Sequence, residues 1–277
     1  MFKNFSIFSL INGLKLYKNL IKSFFDLFIQ IAYSLRLANV HKKTFKELKN
    51  LNCTLDHMKE SYIYMEPNHL EIFPFNGLMI GNTHRLNDIL PNITALDSNI
   101  ESLNNLEKTL EDSFCRIRPI IFDINNFNPN FNSKFNSVSL NFALDRIQGG
   151  SEKVEDFLLK IKNCLSDGSI VYGLTTMGNG LKHKKNSLEY IKAKNQAQEW
   201  FNLNYSLKDL EYILKSHFDS YGIFTIGSCV IFRGVINKKA LDVSKYRPTL
   251  DNLKGKHLKI QHEDLHKWVK NLDKFKN

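Results

Sequence analysis

Two aspartates occupy positions at which a carboxylate can hold a ribose. Asp97 ends the apolar run 93–96, and Asp123 follows the apolar run 117–122. In doubly wound sheets ligands lie beyond the carboxyl ends of the strands, and an acidic residue there can accept both hydroxyl hydrogens of a ribose. The same positions suit the N-cap of a following helix. For each residue taken alone, the two interpretations are equally supported.

A third stretch, NHLEIFPFNGLMI (Asn68 to Ile80), runs from a short buried strand into a turn that ends at Gly77. Many α/β enzymes keep a glycine-rich loop at such a place, so that a nucleotide-like ligand can touch the backbone. Here Phe73, Pro74 and Phe75 fill most of the loop. The stretch is therefore a cofactor site, a site that has lost its ligand, or no site.

A literal HExxH motif spans His262 to His266. On a helix the two histidines share a face, and the glutamate beside them could polarise a zinc-bound water. A third protein ligand usually follows such a motif, but residues 267–277 contain no His or Cys and only Asp273 as an acid. We therefore predict a chance match on an amphipathic surface helix, with no zinc bound.

Short apolar strands alternate with helical stretches from Leu70 onward. The pattern predicts strands at 70–72, 93–97, 117–122, 137–141, 169–175, 223–226 and 230–236, and helices at 100–110, 154–164 and 207–217. We expect Asp167-Gly168 to stop the second of these helices. Such alternation indicates an α/β fold with a parallel sheet, to which the closing pair around Gly227-Ser228 adds an antiparallel edge.

Composition narrows the class of protein. Hydrophobic residues at 43% and charged residues at 24% are typical of a soluble globular chain of one large or two small domains. The net charge of +10 comes mostly from scattered lysines, and no RNA-binding aromatic motif or arginine cluster accompanies it, so we predict no specific nucleic-acid partner. The four cysteines form no CxxC pair, which favours buried thiols in a reducing, cytoplasmic compartment.

The N-terminal segment 5–35 is rich in Phe, Leu and Ile, but charged and polar residues interrupt it: Lys15, Lys18, Lys22, Asp26 and Gln30. No uninterrupted run reaches the ~18–20 apolar residues of a membrane span, and no small-residue cleavage site follows. An amphipathic helix that packs on the main domain is one interpretation, and a helix that lies on a membrane surface is the other. We divide the chain into an N-terminal helical extension (1–65), a central domain (66–236) and a basic C-terminal tail with a helix (237–277).

Together these stretches follow the order found in class I S-adenosylmethionine (SAM)-dependent methyltransferases, which the chain resembles over residues 20–236. The segment 135–144, FNSVSLNFAL, is similar to the fourth-strand pattern FDSVxLNxxLH of a small-molecule branch. The segment 168–175, GSIVYGLT, resembles its fifth-strand pattern GGVLFGxT, and 227–232 also matches. The resemblance implies a Rossmann-like methyltransferase fold with a mostly parallel seven-stranded sheet and an antiparallel edge strand, SAM as cofactor and a small-molecule substrate.

The resemblance also implies roles for single residues. Glu71 would orient the first loop near the methionine amino group of SAM. Asp97, followed by Ser98, would hold the ribose hydroxyls, and Asp123 with the Ile124 amide would meet the adenine.

Other implied roles concern the sulfonium and the substrate. Asn141 would line the sulfonium side, and Phe142 and Leu144 would lie near the substrate. Phe25 sits where the family often has an aromatic residue in an N-terminal helix that covers the cofactor. If the protein is an active enzyme, Asp145 could serve as a general base.

The first motif departs from the family pattern (D/E)xGxGxG. Laid on residues 71–77 it gives phenylalanine at two of three glycine positions, Phe73 and Phe75, and only Gly77 matches. Glycine tolerates φ > 0 and lets the backbone approach a ligand, whereas Pro74 fixes φ and removes an amide donor. Two benzyl groups would fill the volume of the methionine part of SAM, unless both rings turn into the core and leave a reshaped pocket.

Two further departures affect the site. Asp145 stands where the family has histidine, and Ser98 stands where a hydrophobic residue is expected.

Three hypotheses for the function follow. The first is a degenerate methyltransferase, a pseudoenzyme with weakened or lost SAM binding that has a binding or scaffold role with a protein partner. The second is an active SAM-dependent enzyme that methylates O, N or C of a small molecule. The third is a peripheral membrane protein that uses its N-terminal helices. The sequence leaves the substrate, the partner and the formation of an oligomer open.

Overall fold

The computed structural model describes residues 42–237, with gaps at 84, 114, 130 and 132–133, and the single residues 22, 39 and 239. Its contacts divide the chain into the units Met1–Lys46 and Glu47–Asn277, and the account below concerns the second. The domain boundaries at 65 and 236 remain predictions. Phe25 and the HExxH histidines lie outside the described residues.

Seven strands form one sheet, as the sequence predicts. They are β1 (Asn68–Ile72), β2 (Asn92–Asp97), β3 (Arg116–Ile121), β4 (Phe135–Ser139), β5 (Leu165–Thr176), β6 (Ser220–Ile226) and β7 (Cys229–Val235). The strand order is β3-β2-β1-β4-β5-β7-β6. Strands β1 to β5 pair in parallel, and β7 runs antiparallel to both β5 and β6. The α/β fold class with a mostly parallel sheet is confirmed.

Seven helices accompany the sheet in the described part of the chain. They are α1 (described over residues 42–50, of which 47–50 belong to the second unit), α2 (Leu55–Ser61), α3 (Arg85–Ile89), α4 (Ile100–Thr109), α5 (Gly150–Asn163), α6 (Lys185–Gln196) and α7 (Leu207–His217). The three predicted helices, α4, α5 and α7, have buried apolar residues at helical spacing. Helix α6 buries only Ser187 and Ile191, which explains why its sequence gave no apolar periodicity.

One predicted boundary is wrong. Helix α5 ends at Asn163, and β5 begins at Leu165, so Asp167-Gly168 lies inside the strand. Gly168 has φ of +76°, and the β4–β5 register shifts between Phe135 and Ser137. The Asp-Gly pair therefore marks an irregularity near the start of β5. Asp and Gly favour turns both in such irregularities and after helices, so the sequence alone does not distinguish the two.

Two apolar clusters fill the core. In β1, Leu70 and Ile72 belong to one cluster, which also contains the buried face of α5. The other cluster contains Tyr62 and the buried leucines of α4. Side chains alternate along a strand, so Glu71, which lies between Leu70 and Ile72, faces away from the first cluster.

The cysteines are unpaired. Cys53, Cys164 and Cys229 are buried, and Cys115 is partly buried. Within the described ranges, no helix combines the length and apolar character needed to cross a membrane.

Candidate functional site

The order of the sheet reverses between β1 and β4, which makes this the switch point at which ligands bind in open α/β sheets. Three segments meet the carboxyl ends of the strands there. The loop 73–77 follows β1, Asp97 ends β2, and the turn 141–146 follows β4.

Four residues of the loop after β1 have a left-handed backbone, and only one of them is a glycine. The angle φ is +58° at Phe73, +50° at Phe75, +57° at Asn76 and +78° at Gly77. For a residue other than glycine, the left-handed conformation costs about 1–2 kcal/mol. Both phenylalanines therefore occupy positions that favour glycine, and the surrounding contacts must hold them there.

Hydrogen bonds to β2 and α4 hold this loop. The Phe73 N–H donates to the carbonyl of Leu96 at 2.9 Å. The Asn76 Oδ1 accepts from the Asn105 amide at 2.7 Å, and the Asn76 carbonyl accepts from the Thr109 hydroxyl at 3.1 Å. These side chains fix Asn76 in the one conformation that the loop requires.

The two phenylalanine rings have different surroundings. The Phe73 ring is 4% exposed and belongs to the first core cluster, and the Arg146 guanidinium lies 4.6 Å above its centroid. The Phe75 ring is half-buried and meets the Phe142 ring edge-on, with 5.5 Å between centroids. Phe142, at φ of +51°, stacks on Trp200 with 6.1 Å between centroids. Phe73 thus turns into the core, while Phe75 bridges the first loop and the turn after β4.

Glu71, which would orient the loop near the methionine amino group, is fully buried and enclosed by side chains. Its Oε1 accepts from the Tyr62 hydroxyl at 2.8 Å and from the Ser139 hydroxyl at 3.2 Å. Its Oε2 lies 2.9 Å from His69 Nε2, and His69 Nδ1 lies 2.8 Å from the Ser137 hydroxyl. Both oxygens of this carboxylate thus have hydrogen-bond partners within the chain.

Asn141 joins the same network. Its Nδ2 donates to the Tyr62 oxygen at 3.1 Å and to the Ser139 hydroxyl at 3.0 Å. Its Oδ1 is buried and has no hydrogen-bond partner among the described residues. Burial and the charge of Glu71 raise the pKa of Tyr62 well above its ordinary value, so its hydroxyl stays a donor. The residue that would line the sulfonium side therefore stabilises Glu71 indirectly.

Asp97 lies at the end of β2 and is nearly buried. Its Oδ1 accepts from the Asn99 amide at 3.0 Å, while Asn99 itself caps α4 by accepting from the Glu101 amide. Burial raises the pKa of Asp97, although the Asn99 amide, the Ser102 hydroxyl and the nearby charge of Arg146 oppose that shift.

The remaining predicted cofactor contacts, Ser98, Asp123 and Ile124, differ in their exposure. Ser98 is exposed. Asp123 is also exposed and caps the turn Ile124–Asn126, since its Oδ1 accepts from the Asn125 amide at 3.0 Å and its Oδ2 from the Asn126 amide at 2.6 Å. Ile124 is buried.

Asp145 is fully buried and surrounded by donors. Its Oδ1 accepts from the Thr176 amide at 3.0 Å, from the Thr176 hydroxyl at 2.5 Å and from the Asn202 amide at 2.5 Å, and its Oδ2 accepts from the Thr175 hydroxyl at 3.1 Å. Burial raises the pKa of Asp145 to about 6 in spite of these donors. The carboxylate ties the turn after β4 to the end of β5, and Leu144 beside it belongs to the core.

The structure thus brings together Glu71 with Asn141, and Phe75 with Phe142, and it leaves Asp123 at the surface. Four residues of this region have no role predicted from the sequence: Tyr62, His69, Arg146 and Trp200. His69 carried a usable signal, because residues i and i+2 of a strand share a face and Glu71 follows at that spacing. No group of metal-ligating side chains occurs in the described ranges.

Comparisons with known proteins agree on the fold. No family model matches the chain. It is 25% identical to the uncharacterized protein YbcY of Escherichia coli (strain K12) over 183 residues, which cover 65% of this chain and 91% of YbcY.

Two solved structures are similar to the protein. A SAM-dependent methyltransferase from Clostridium acetobutylicum has a TM-score of 0.51 and 13% identity over 72% of this chain and 99% of its own. A candidate O-methyltransferase from Nostoc punctiforme has a TM-score of 0.51 and 14% identity over 64% of this chain, which spans about half (55%) of that protein. The fold is therefore that of the class I SAM-dependent methyltransferases, as the sequence resemblance implies.

The enclosure of Glu71 generates a first prediction. Replacing Tyr62 by Phe removes one donor from a fully buried carboxylate, so we expect the free energy of unfolding to fall by about 1–3 kcal/mol. Urea denaturation measures the change. Tyr212→Phe is the matched control, because Tyr212 is 66% exposed and its hydroxyl should contribute less than about 0.5 kcal/mol. Equal midpoints for the two variants would contradict the role assigned to Tyr62.

Asp145 generates a second prediction. Because its pKa rises from 3.8 to about 6 on folding, the folded state binds the proton more tightly than the unfolded state. This contribution to stability is complete below about pH 4 and is lost as the pH rises through about 6, a change of about 3 kcal/mol. Asp145→Asn removes it, so the difference in unfolding free energy between wild type and variant should depend on pH in that window. A difference that is constant from about pH 4 to about pH 7 would refute it.

Proposed function

We propose that the protein is a degenerate member of the methyltransferase fold that has lost tight SAM binding and has a binding or scaffold role. One observation carries the proposal. The Phe75 ring touches the Phe142 ring, with 5.5 Å between centroids, and so closes the gap between the first loop and the turn after β4. In the family pattern, glycine at position 75 would leave this gap open to the methionine part of the cofactor.

The polar groups around the gap support the same proposal. The Glu71 carboxylate has protein partners on both oxygens. Opening it to a ligand would break contacts inside a fully buried network, where each unsatisfied group costs about 1–3 kcal/mol. The residues present therefore do not fit SAM in the way that the family pattern requires, and no methyl-transfer step is derived for them.

A charge adds to the misfit. SAM has a net positive charge, because its sulfonium and ammonium outweigh its carboxylate, and the guanidinium of Arg146 lies over the Phe73 ring between the first loop and the turn after β4. Like charges in a partly buried site repel more strongly than in water.

An active small-molecule methyltransferase is the second candidate. It is favoured by the position of Asp97, which the structure keeps at the carboxyl end of β2 beside the switch point. Methyl transfer depends mainly on positioning, and Asp145 with its pKa of about 6 has the basicity of a general base. This candidate requires that the Phe75–Phe142 contact opens to admit the cofactor. Peripheral membrane binding through the N-terminal helices stays a third hypothesis, which co-sedimentation with anionic liposomes tests.

The third prediction is that the full-length wild-type protein gives no saturable heat when titrated calorimetrically with SAM or S-adenosylhomocysteine. Phe75→Gly should then bind at least one of them measurably, because it removes the ring that meets Phe142 and suits the left-handed backbone. In the double variant Phe73→Gly/Phe75→Gly the loss of the buried Phe73 ring is expected to cost about 3–5 kcal/mol. Stability must therefore be measured beside binding.

Asp97 supplies the control for that experiment. Adding Asp97→Ala to the Phe75→Gly variant should abolish any binding that Phe75→Gly restores, since the ribose would lose its acceptor. Tight SAM binding by the wild type that disappears in Asp97→Ala would reject the hypothesis of a degenerate methyltransferase in favour of an active enzyme.

A further inference from the structure

We infer that the space beside Arg146, between the loop 73–77 and the turn 141–146 (the switch-point crevice), takes an anionic group, a carboxylate or a phosphate, which the guanidinium of Arg146 holds over the ring of Phe73. The inference names the chemistry of the ligand for the proposed binding role. It rests on the proposed function in one respect, that SAM does not occupy the switch-point crevice.

The first step of the argument is the position of Arg146. It ends the turn Leu144–Arg146 after β4, and its guanidinium reaches across to the loop after β1, where it lies 4.6 Å above the Phe73 ring centroid. The guanidinium therefore spans the gap between β1 and β4, at which the strand order reverses. This is where ligands of open α/β sheets bind.

The second step is the hydrogen bonding of Arg146. Its Nε is buried and has no hydrogen-bond partner among the described residues. A buried donor without a partner destabilises the protein, and the penalty is larger when the donor belongs to a charged group. An anion that approaches in the plane of the guanidinium would satisfy this donor, while the Phe73 ring covers one face.

The third step is the charge balance. Arg146 forms no ion pair with a described residue, since the ion pairs of the described ranges involve other side chains. The acid whose pKa responds to the charge of Arg146 is Asp97, and its carboxyl already accepts from the Asn99 amide and interacts with Ser102. Asp97 is thus committed to the start of α4, and the charge of Arg146 remains available to a ligand.

The last step is the choice of ligand class. The planar fork of arginine matches the two oxygens of a carboxylate or phosphate, and stacking on an aromatic ring fixes the plane of the fork in advance. A cation or an uncharged apolar ligand would leave the buried Nε–H unsatisfied. The crevice is accordingly matched to an anion.

The test, our fourth prediction, observes the Nε–H directly. In ¹H–¹⁵N spectra of the full-length protein, the Arg146 Nε–H signal is assigned as the one that disappears in Arg146→Lys. Inorganic phosphate and, separately, acetate are titrated against it, with sodium chloride at matched ionic strength as the reference. We expect a saturable shift of this signal with at least one of the two anions and none with chloride.

Variants make the test specific. Arg146→Gln should weaken phosphate or acetate binding, followed through the loop amides, by about tenfold or more. Arg146→Lys should bind with an intermediate affinity, because it keeps the charge but loses the fork. Arg118→Gln is the matched control, since Arg118 is exposed on β3, and it should bind as the wild type does. Thermal melts establish that each variant is folded.

The outcomes separate the two proposals. A shift with phosphate alone assigns a phosphate ligand, and a shift with acetate alone assigns a carboxylate ligand. No saturable shift beyond that of chloride, or equal binding by wild type and Arg146→Gln, overturns the inference whatever SAM does. Saturable SAM binding by the wild type overturns the degenerate function and leaves the result with inorganic phosphate and acetate to decide on Arg146.

Discussion

A buried carboxylate is the constraint on which the site depends. An ionisable group with no exposure needs a hydrogen-bond partner for each oxygen, because transfer of an unpaired charge into the interior is prohibitive. Glu71 meets this need with Tyr62 from the turn after α2, His69 from its own strand and Ser139 from β4. These partners come from segments that converge at the switch point. The network that stabilises Glu71 therefore connects β1, β4 and the turn after α2 at this edge of the sheet.

The first loop has a left-handed backbone that favours glycine, although two of its residues are phenylalanines. Two left-handed phenylalanines cost about 1–2 kcal/mol each, whereas burial of one benzyl side chain contributes about 1.5–3 kcal/mol. For Phe73, which is buried, the two effects are of the same order. The loop can thus keep the path of the glycine motif while its side chains take over the space above it. Hydrogen bonds from Asn105 and Thr109 to Asn76 add to the balance.

The sequence predicted the sheet well because strand and helix periodicities are local signals. All seven strands occur where apolar runs placed them, and α4, α5 and α7 follow the helical spacing. The site was less predictable. The acids at the strand ends were found from their positions, but the enclosure of Glu71 and Asp145 depends on Tyr62, Thr176 and Asn202, which are distant in sequence. Nothing in a single chain indicates which distant hydroxyl or amide will face a given carboxylate.

The directions of the two phenylalanine rings could not be predicted from the sequence for a related reason. Phe73 and Phe75 are two residues apart, yet one ring enters the core and the other meets Phe142. A strand would send both to the same face, but the left-handed turns between them break that rule. The direction of each ring therefore follows from the loop conformation, which side-chain type alone would not have suggested.

Charge decides what kind of ligand such a crevice can accept. Among the described side chains, the guanidinium of Arg146 lies over the Phe73 ring, and its charge opposes the rise that burial causes in the pKa of Asp97. Asp97 also accepts from the Asn99 amide, and the buried Nε–H of Arg146 has no partner among the described residues. A ligand that satisfies this donor must offer an acceptor, and an acceptor with a negative charge suits a guanidinium best. On the proposed function, the side of the loop that the family pattern opens to the methionine part of SAM presents an arginine to an anion instead.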